Sequence, residues 1–249
     1  TIASAAFIFM EGGMAGEITT SSLDTGPVLP GISLSADSFT LGINTTGQAF
    51  TEILGVAVDL PASTQLLRVR VENGNITVLG SQIFADELIF NYQQLEGGGK
   101  LIEIAGSNAG FSLKLGETEI ISLSIDTLAF AFTPDGIAGM ATTASVSDLP
   151  SLSQISFTAE YLEVYLNTTG QEITEILGYT VNLPGESEYL KVKMINGEIK
   201  VFESFLSAEL FELSLENGVD GPEIGIAGTN MEFTLQLGGV TLLELGITT

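Results

Sequence analysis

The chain contains no cysteine, no histidine and no tryptophan. Without cysteine there is neither a disulfide framework nor a thiolate metal site. Without histidine, triads that use an imidazole base and imidazole metal centres are excluded as well. Positive charge is scarce: 7 Lys and Arg stand against 31 Asp and Glu, a net charge of −24. That balance excludes the basic stripe that a nucleic-acid backbone requires and disfavours anionic membrane surfaces. No apolar run reaches the roughly 18 residues of a membrane-spanning helix. No Met and no basic, apolar leader opens the chain, so its start at Thr1 reads as a processed product or a fragment. Strong helix patterns are lacking too.

What is present is a core-forming composition and a duplication. Hydrophobic residues make up 45% of 249 residues, enough to oppose global disorder. "INTTGQAFTEILGVAVDLP" at residues 43–61 returns as "LNTTGQEITEILGYTVNLP" at residues 166–184, an offset of 123. "FIFMEGGMAGEITT" at 7–20 and "LRVRVENGNITV" at 67–78 return at the same offset as "FAFTPDGIAGMATT" and "LKVKMINGEIKV". Beyond a glycine-rich loop the offset becomes 122, matching "IAGSNAGFSLKLG" at 104–116 with "IAGTNMEFTLQLG" at 226–238. Two copies follow, residues 1–123 and 124–249. The final "LLELGITT" corresponds to "IISLSIDT" at 120–127, which leads straight into the second copy. The expectation is a slice of a longer tandem array, or a subunit that stacks end to end, because repeat arrays need neighbours to cover their terminal faces.

Apolar residues recur every second position, the strand period: Phe39, Leu41, Ile43; Leu67, Val69, Val71; Leu190, Val192, Met194. Ser, Thr, Glu, Asn, Arg or Lys intervene, which predicts antiparallel sheets with one dry face and one wet face. Asn73-Gly74 and Asn196-Gly197 predict tight hairpins, since both turn positions need φ > 0. "TEIL" predicts a bulge or a single turn. The fold class is all-β, two tandem copies of antiparallel strands, about nine or ten short strands each. Linked sandwiches and one elongated, solenoid-like sheet both fit. Seamless apolar spacing over 120–132 favours the continuous sheet.

The wording "INTTGQ…VDLP…LLRV…ITVLGSQIFADELIF…IEIAGSNAGFSLKLG" resembles the repeats of very large secreted bacterial surface proteins of the RTX and LEPR-XLL type. The resemblance covers nearly the whole chain, with "NTTG" and "DLP" its sharpest points. It implies export, an extracellular or cell-surface location and a structural or adhesive role. It supplies no catalytic residues.

Carboxylates are the one acid–base chemistry left, at Glu52, Glu175, Asp86, Glu87 and Glu209. Their recurrence at the same place in both copies speaks for a solvated repeat edge rather than the facing pair a glycosidase needs. No catalytic residue and no cofactor is expected. Calcium would bind only weakly, at turns such as "ENGN" and "ENGVDG", because no alternating Asp pattern surrounds a glycine. Arg68 and Arg70 correspond to Lys191 and Lys193, four of the seven cations. Either they pair with acids on a neighbouring strand or subunit and fix register, or they guard a solvated strand edge. The Asn-x-Thr sequons at Asn44, Asn75 and Asn167 are read as turn chemistry.

These features point to a non-enzymatic structural or adhesive repeat protein that spans distance and resists unfolding. Its partners would be adjacent repeats or further copies of itself. One route is strand complementation, with residues 4–9 beside residues 241–247 of the next unit and Phe7, Phe9, Leu243, Leu245 and Ile247 as contacts. The alternative is a ligand-binding module with an apolar groove for lipid or polysaccharide. An outer-membrane barrel is disfavoured by the missing tryptophan and few tyrosines.

Overall fold

The computed structural model describes residues 1–29, 32–78, 81–95, 98–115, 118–143, 155–185, 188–218 and 221–247. The fold is all-β. The first copy forms β1 (Ile2–Met10), β2 (Gly13–Thr20), β3 (Leu23–Leu29), β4 (Ile32–Ala36), β5 (Ser38–Asn44), β6 (Phe50–Ile53), β7 (Val56–Leu60), β8 (Leu66–Val78), β9 (Ser81–Gln94) and β10 (Lys100–Leu115). β11 (Thr118–Thr133) crosses from one copy into the next. Then come β12 (Gly136–Thr143), β13 (Ile155–Thr158), β14 (Tyr161–Asn167), β15 (Ile173–Ile176), β16 (Tyr179–Leu183), β17 (Tyr189–Val201), β18 (Ser204–Gly218), β19 (Gly221–Thr229), β20 (Met231–Leu237) and β21 (Val240–Ile247).

Seventeen of these strands build one open antiparallel sheet. Its spine runs β1–β2–β5–β8–β9–β10–β11–β12–β14–β17–β18–β19. β4 bonds the second half of β8 and carries β3; β13 bonds the second half of β17; β20 bonds β18 and carries β21. No linker separates the copies, because β11 joins the counterpart of β21 to the counterpart of β1 in a single 16-residue strand.

The strands are longer than expected, and the Asn-Gly steps are the reason. Asn73 and Asn196 adopt φ of 48° and 46°, but each lies inside a 13-residue strand, β8 or β17. Gly74 and Gly197 are not left-handed, so no two-residue hairpin forms. Asn108 and Asn230 share the geometry, at 46° and 47°. Asparagine tolerates this region better than other side chains with a Cβ. Each of the four donates its side-chain amide to a carboxylate on the neighbouring chain segment: Asn73 to Asp37, Asn108 to Asp86, Asn196 to Glu160 and Asn230 to Glu209. The result is a transverse row of amide–acid pairs that repeats from copy to copy.

Val58 and Leu60, which follow the alternating apolar pattern, are buried in the core, but on the main sheet the clusters sit on the face that the pattern did not favour. The short hairpins β6–β7 and β15–β16 lie on the sheet face that carries the alternating polar residues. Beneath β6–β7 are Ala6, Ala15 and Leu66, packed with Ile53, Val58 and Leu60. Beneath β15–β16 are Ala105, Ala129, Ala131, Ala138 and Met140, packed with Ile176, Val181 and Leu183. Alanine rows give a hairpin a flat seat, which larger residues would lift away. The expected dry face is the open one. One cross-strand row on it reads Ala5, Ile18, Leu41, Val69, Phe90, Ile104, Phe130, Gly139, Leu166, Leu190, Leu215, Ile224. Among its residues Phe7, Phe9, Leu67, Phe132, Ile137, Ile224 and Ile226 are exposed.

Candidate functional site

Each copy carries a lid and a cleft, and the repeated phrase builds both. In "NTTG", Asn44 is fully buried. Its amide nitrogen donates to the carbonyls of Gln48 (2.6 Å) and Pro61 (2.7 Å), and its Oδ1 accepts from the Thr46 amide (3.0 Å) and hydroxyl (2.8 Å). Asn167 repeats this on Gln171 (2.8 Å), Pro184 (2.6 Å) and Thr169 (3.0 and 2.7 Å). One asparagine therefore closes an Asx turn and ties the two ends of the lid together. This is why "NTTG" and the proline of "LP" recur at a fixed spacing. The sequon nitrogens of Asn44 and Asn167 are consumed in the fold, whereas Asn75, the third sequon asparagine, lies within β8 rather than in a turn. "TEIL" is the first strand of the hairpin plus its turn. Leu54-Gly55 and Leu177-Gly178 all have positive φ, as the tight turn demands.

The cleft beside the first lid has a volume of about 960 Å³ and is lined by Glu17, Asp59, Arg68, Arg70, Glu87 and Tyr179 among others. Its counterpart, about 480 Å³, contains Glu163, Tyr165, Lys191, Lys193 and Glu212. The first is larger because the second copy's lid overhangs it, contributing Glu175, Leu177, Gly178 and Tyr179. β8 and β17 are interior strands, so the strand-edge reading of their cations does not apply. Arg68 joins the Asp59 carboxylate on β7, fastening the lid to the sheet. Arg70 lies between Glu72, at 3.7 Å, and Glu87 on β9. Lys191 pairs with Glu212 at 2.9 Å and Lys193 with Glu163 at 3.8 Å. Such pairs are partly exposed and contribute modestly.

Burial acts against ionisation of Glu87, but hydrogen bonds from Tyr179 and Arg70, together with the Arg70 charge, outweigh it and hold the carboxyl below its usual value. Glu17 is shifted the other way, first by burial. Burial and the neighbouring Glu163 push the Tyr165 hydroxyl up to about 12. Lys191 is raised, first by its hydrogen bond to Glu212.

Other carboxylates are engaged in structure. Asp86 and Glu209 accept from the asparagine row, and Glu52 and Glu175 are exposed on separate lids. Among the described residues no three acidic side chains gather as a metal site would. "ENGN" lies within β8 rather than in a turn, and part of "ENGVDG" falls outside the described residues.

One contact and one exposed edge were not legible beforehand. The Tyr179 hydroxyl donates to Glu87 Oε2 at 2.7 Å, bridging the two copies. Ile224 and Ile226 of β19 are 71% and 66% exposed at the sheet edge. Phe7 and Phe9 lie on the opposite edge strand, β1, with Phe9 76% exposed. Leu243, Leu245 and Ile247 are exposed on β21. The repeat offset would have found the edge residues, since Ile102 and Ile104, their internal counterparts, are half-buried by β11. No helix of the described residues is long and apolar enough to cross a membrane. Comparison with family models, curated proteins and solved structures gives no match to this chain.

Proposed function

We propose that the chain is a structural and adhesive repeat module of an extracellular or cell-surface protein, of the repetitive secreted bacterial kind that its sequence resembles. Its work is to carry one β-sheet across distance by adding similar units of about 123 residues. The observation behind this reading is β11, which passes from one unit into the next with no linker, while a lid from the second unit closes over strands of the first. Adjacent repeats and further copies of the chain are its partners, and no catalytic role or cofactor belongs to it. Negative charge keeps such a surface soluble at high concentration.

Small-angle scattering of the purified chain tests the reading. An elongated particle, whose two copies keep one relative arrangement as salt is added, is expected. Two globular bodies moving independently would overturn it. A second reading, an apolar surface for lipid or polysaccharide, is favoured by the open face bearing Leu67, Phe132 and Ile137. Lipid extracted from the purified protein and identified by mass spectrometry would support that reading instead.

A further inference from the structure

The joint between the two copies can be read as a template for a joint between molecules. Internally, β10 and β11 pair with Ile102 opposite Phe132, Ile104 opposite Phe130 and Gly106 opposite Leu128. Ala105 of β10 is fully buried there, beneath the lid residues Ile176, Val181 and Leu183. Leu177 of the lid turn packs against the same cluster.

Both sides of this joint exist again at the margins of the sheet, without partners among the described residues. β19 is the counterpart of the first half of β10 and bonds β18 alone. β1 is the counterpart of the second half of β11 and bonds β2 alone. Two residues covered at the internal joint have exposed counterparts here. Ala227 is exposed where Ala105 is fully buried. Leu54 is 89% exposed where Leu177 is half-buried. The cluster under β6–β7 lacks the two β10 residues, Ala105 and Leu101, that complete its twin.

We infer that a second copy of this chain adds its β1 to β19, antiparallel, with Ile224 opposite Phe9, Ile226 opposite Phe7 and Gly228 opposite Ala5. Its β6–β7 lid then closes over Ala227, as β15–β16 closes over Ala105. This register replaces the pairing of residues 4–9 with residues 241–247. In the internal joint the counterparts of those two segments lie in one strand, β11, and so follow each other in line rather than side by side. Three substitutions tune the joint. Val56 and Leu210 replace the Tyr179–Glu87 pair with an apolar contact. Glu223 stands where Leu101 packs, which shrinks the apolar seat. Strand addition supplies main-chain hydrogen bonds, and the alternate side chains supply register. The inference rests on the proposed structural role, but its test is separate.

Absence of cysteine makes crosslinking clean. A chain carrying Phe7→Cys is mixed with one carrying Ile226→Cys under a mild thiol oxidant, in about 1 M salt, where the Debye length of about 3 Å screens the net charge. A disulfide-linked heterodimer is expected. Phe7→Cys with Leu243→Cys, the side-by-side alternative, should link several-fold less. Sedimentation provides the second measurement. Ile226→Lys, at an exposed edge position, should abolish association without changing the circular dichroism, and Glu223→Leu should strengthen it. Equal linking in both mixtures, or association unaffected by Ile226→Lys, overturns the proposed register. A chain that stays monomeric throughout overturns the joint, while leaving the scattering test of the elongated unit untouched.

Discussion

Replacing Asn167 tests whether one side chain holds a lid closed. It is fully buried and makes four hydrogen bonds. Alanine would remove all four. Gln171 is exposed and the Thr169 hydroxyl lies near the surface, so water can replace those two partners. The Pro184 carbonyl and the Thr169 amide are part-buried. Taking the lower part of the roughly 1–3 kcal/mol range for each of these two part-buried groups, Asn167→Ala should cost about 2–4 kcal/mol. Asn167→Asp is more informative. It keeps the acceptor but turns the donor into a second anionic oxygen facing two carbonyls, a charge buried without a partner. Its cost near neutral pH should exceed that of alanine, at roughly 3–5 kcal/mol. The folded-state pKa of the new carboxyl would lie above its unfolded value. Stability should therefore recover as pH falls through that raised pKa, where the protonated group can donate one bond. Urea unfolding followed by circular dichroism, at neutral and mildly acid pH, gives both numbers. An alanine variant as stable as the parent, or an aspartate variant with no extra acid dependence, would refute the reasoning.

Ala138, fully buried beneath the second lid, has no room for a larger side chain. Ala138→Leu should cost about 1–3 kcal/mol by overpacking, read as a lower unfolding midpoint. Tyr179→Phe removes the bond to Glu87 and should cost about 0.5–1.5 kcal/mol at neutral pH. Because the Glu87 pKa is lowered in the folded state, its contribution is present above the unfolded value and lost as pH falls through the folded one. A pH series of midpoints should find that acid-dependent loss smaller in Tyr179→Phe. Leu54 holds φ of 51° while 89% exposed, so Leu54→Asn should relieve strain and stabilise the chain by roughly 0.5–1 kcal/mol. The same change at Leu177 sacrifices packing on the alanine cluster and should not stabilise; paired thermal melts decide.

Much of this architecture could be read from spacing alone. Period two gave the strands, the offset gave the duplication, and the seamless stretch over 120–132 anticipated β11. Which face would be covered could not be read. Alternation distinguishes two faces but does not say which one a lid will choose. Ala6, Ala15, Ala105, Ala129 and Ala138 carry so little hydrophobic area that Leu67, Val69 and Val71 dominated the pattern. Asn73-Gly74 misled for a local reason. A left-handed asparagine serves a tight turn and a mid-strand kink equally well, and the acid that selects the kink, Asp37, lies 36 residues away. The cations were visible as a repeated pair, but their partners depend on register, which only the folded sheet defines. Tyr179 gave no signal, since its counterpart in the first copy is Val56 and its target belongs to the other unit.

The order of strands also has a mechanical meaning. β1 lies at one margin of the spine and β21 beyond the other, with ladders stacked between them. Tension drawn between those margins would act across the strands, opening one ladder after another like a zip instead of shearing many bonds together. Such a sheet would lengthen in small, recoverable steps under modest force, and the lids that clamp neighbouring units would set the size of each step.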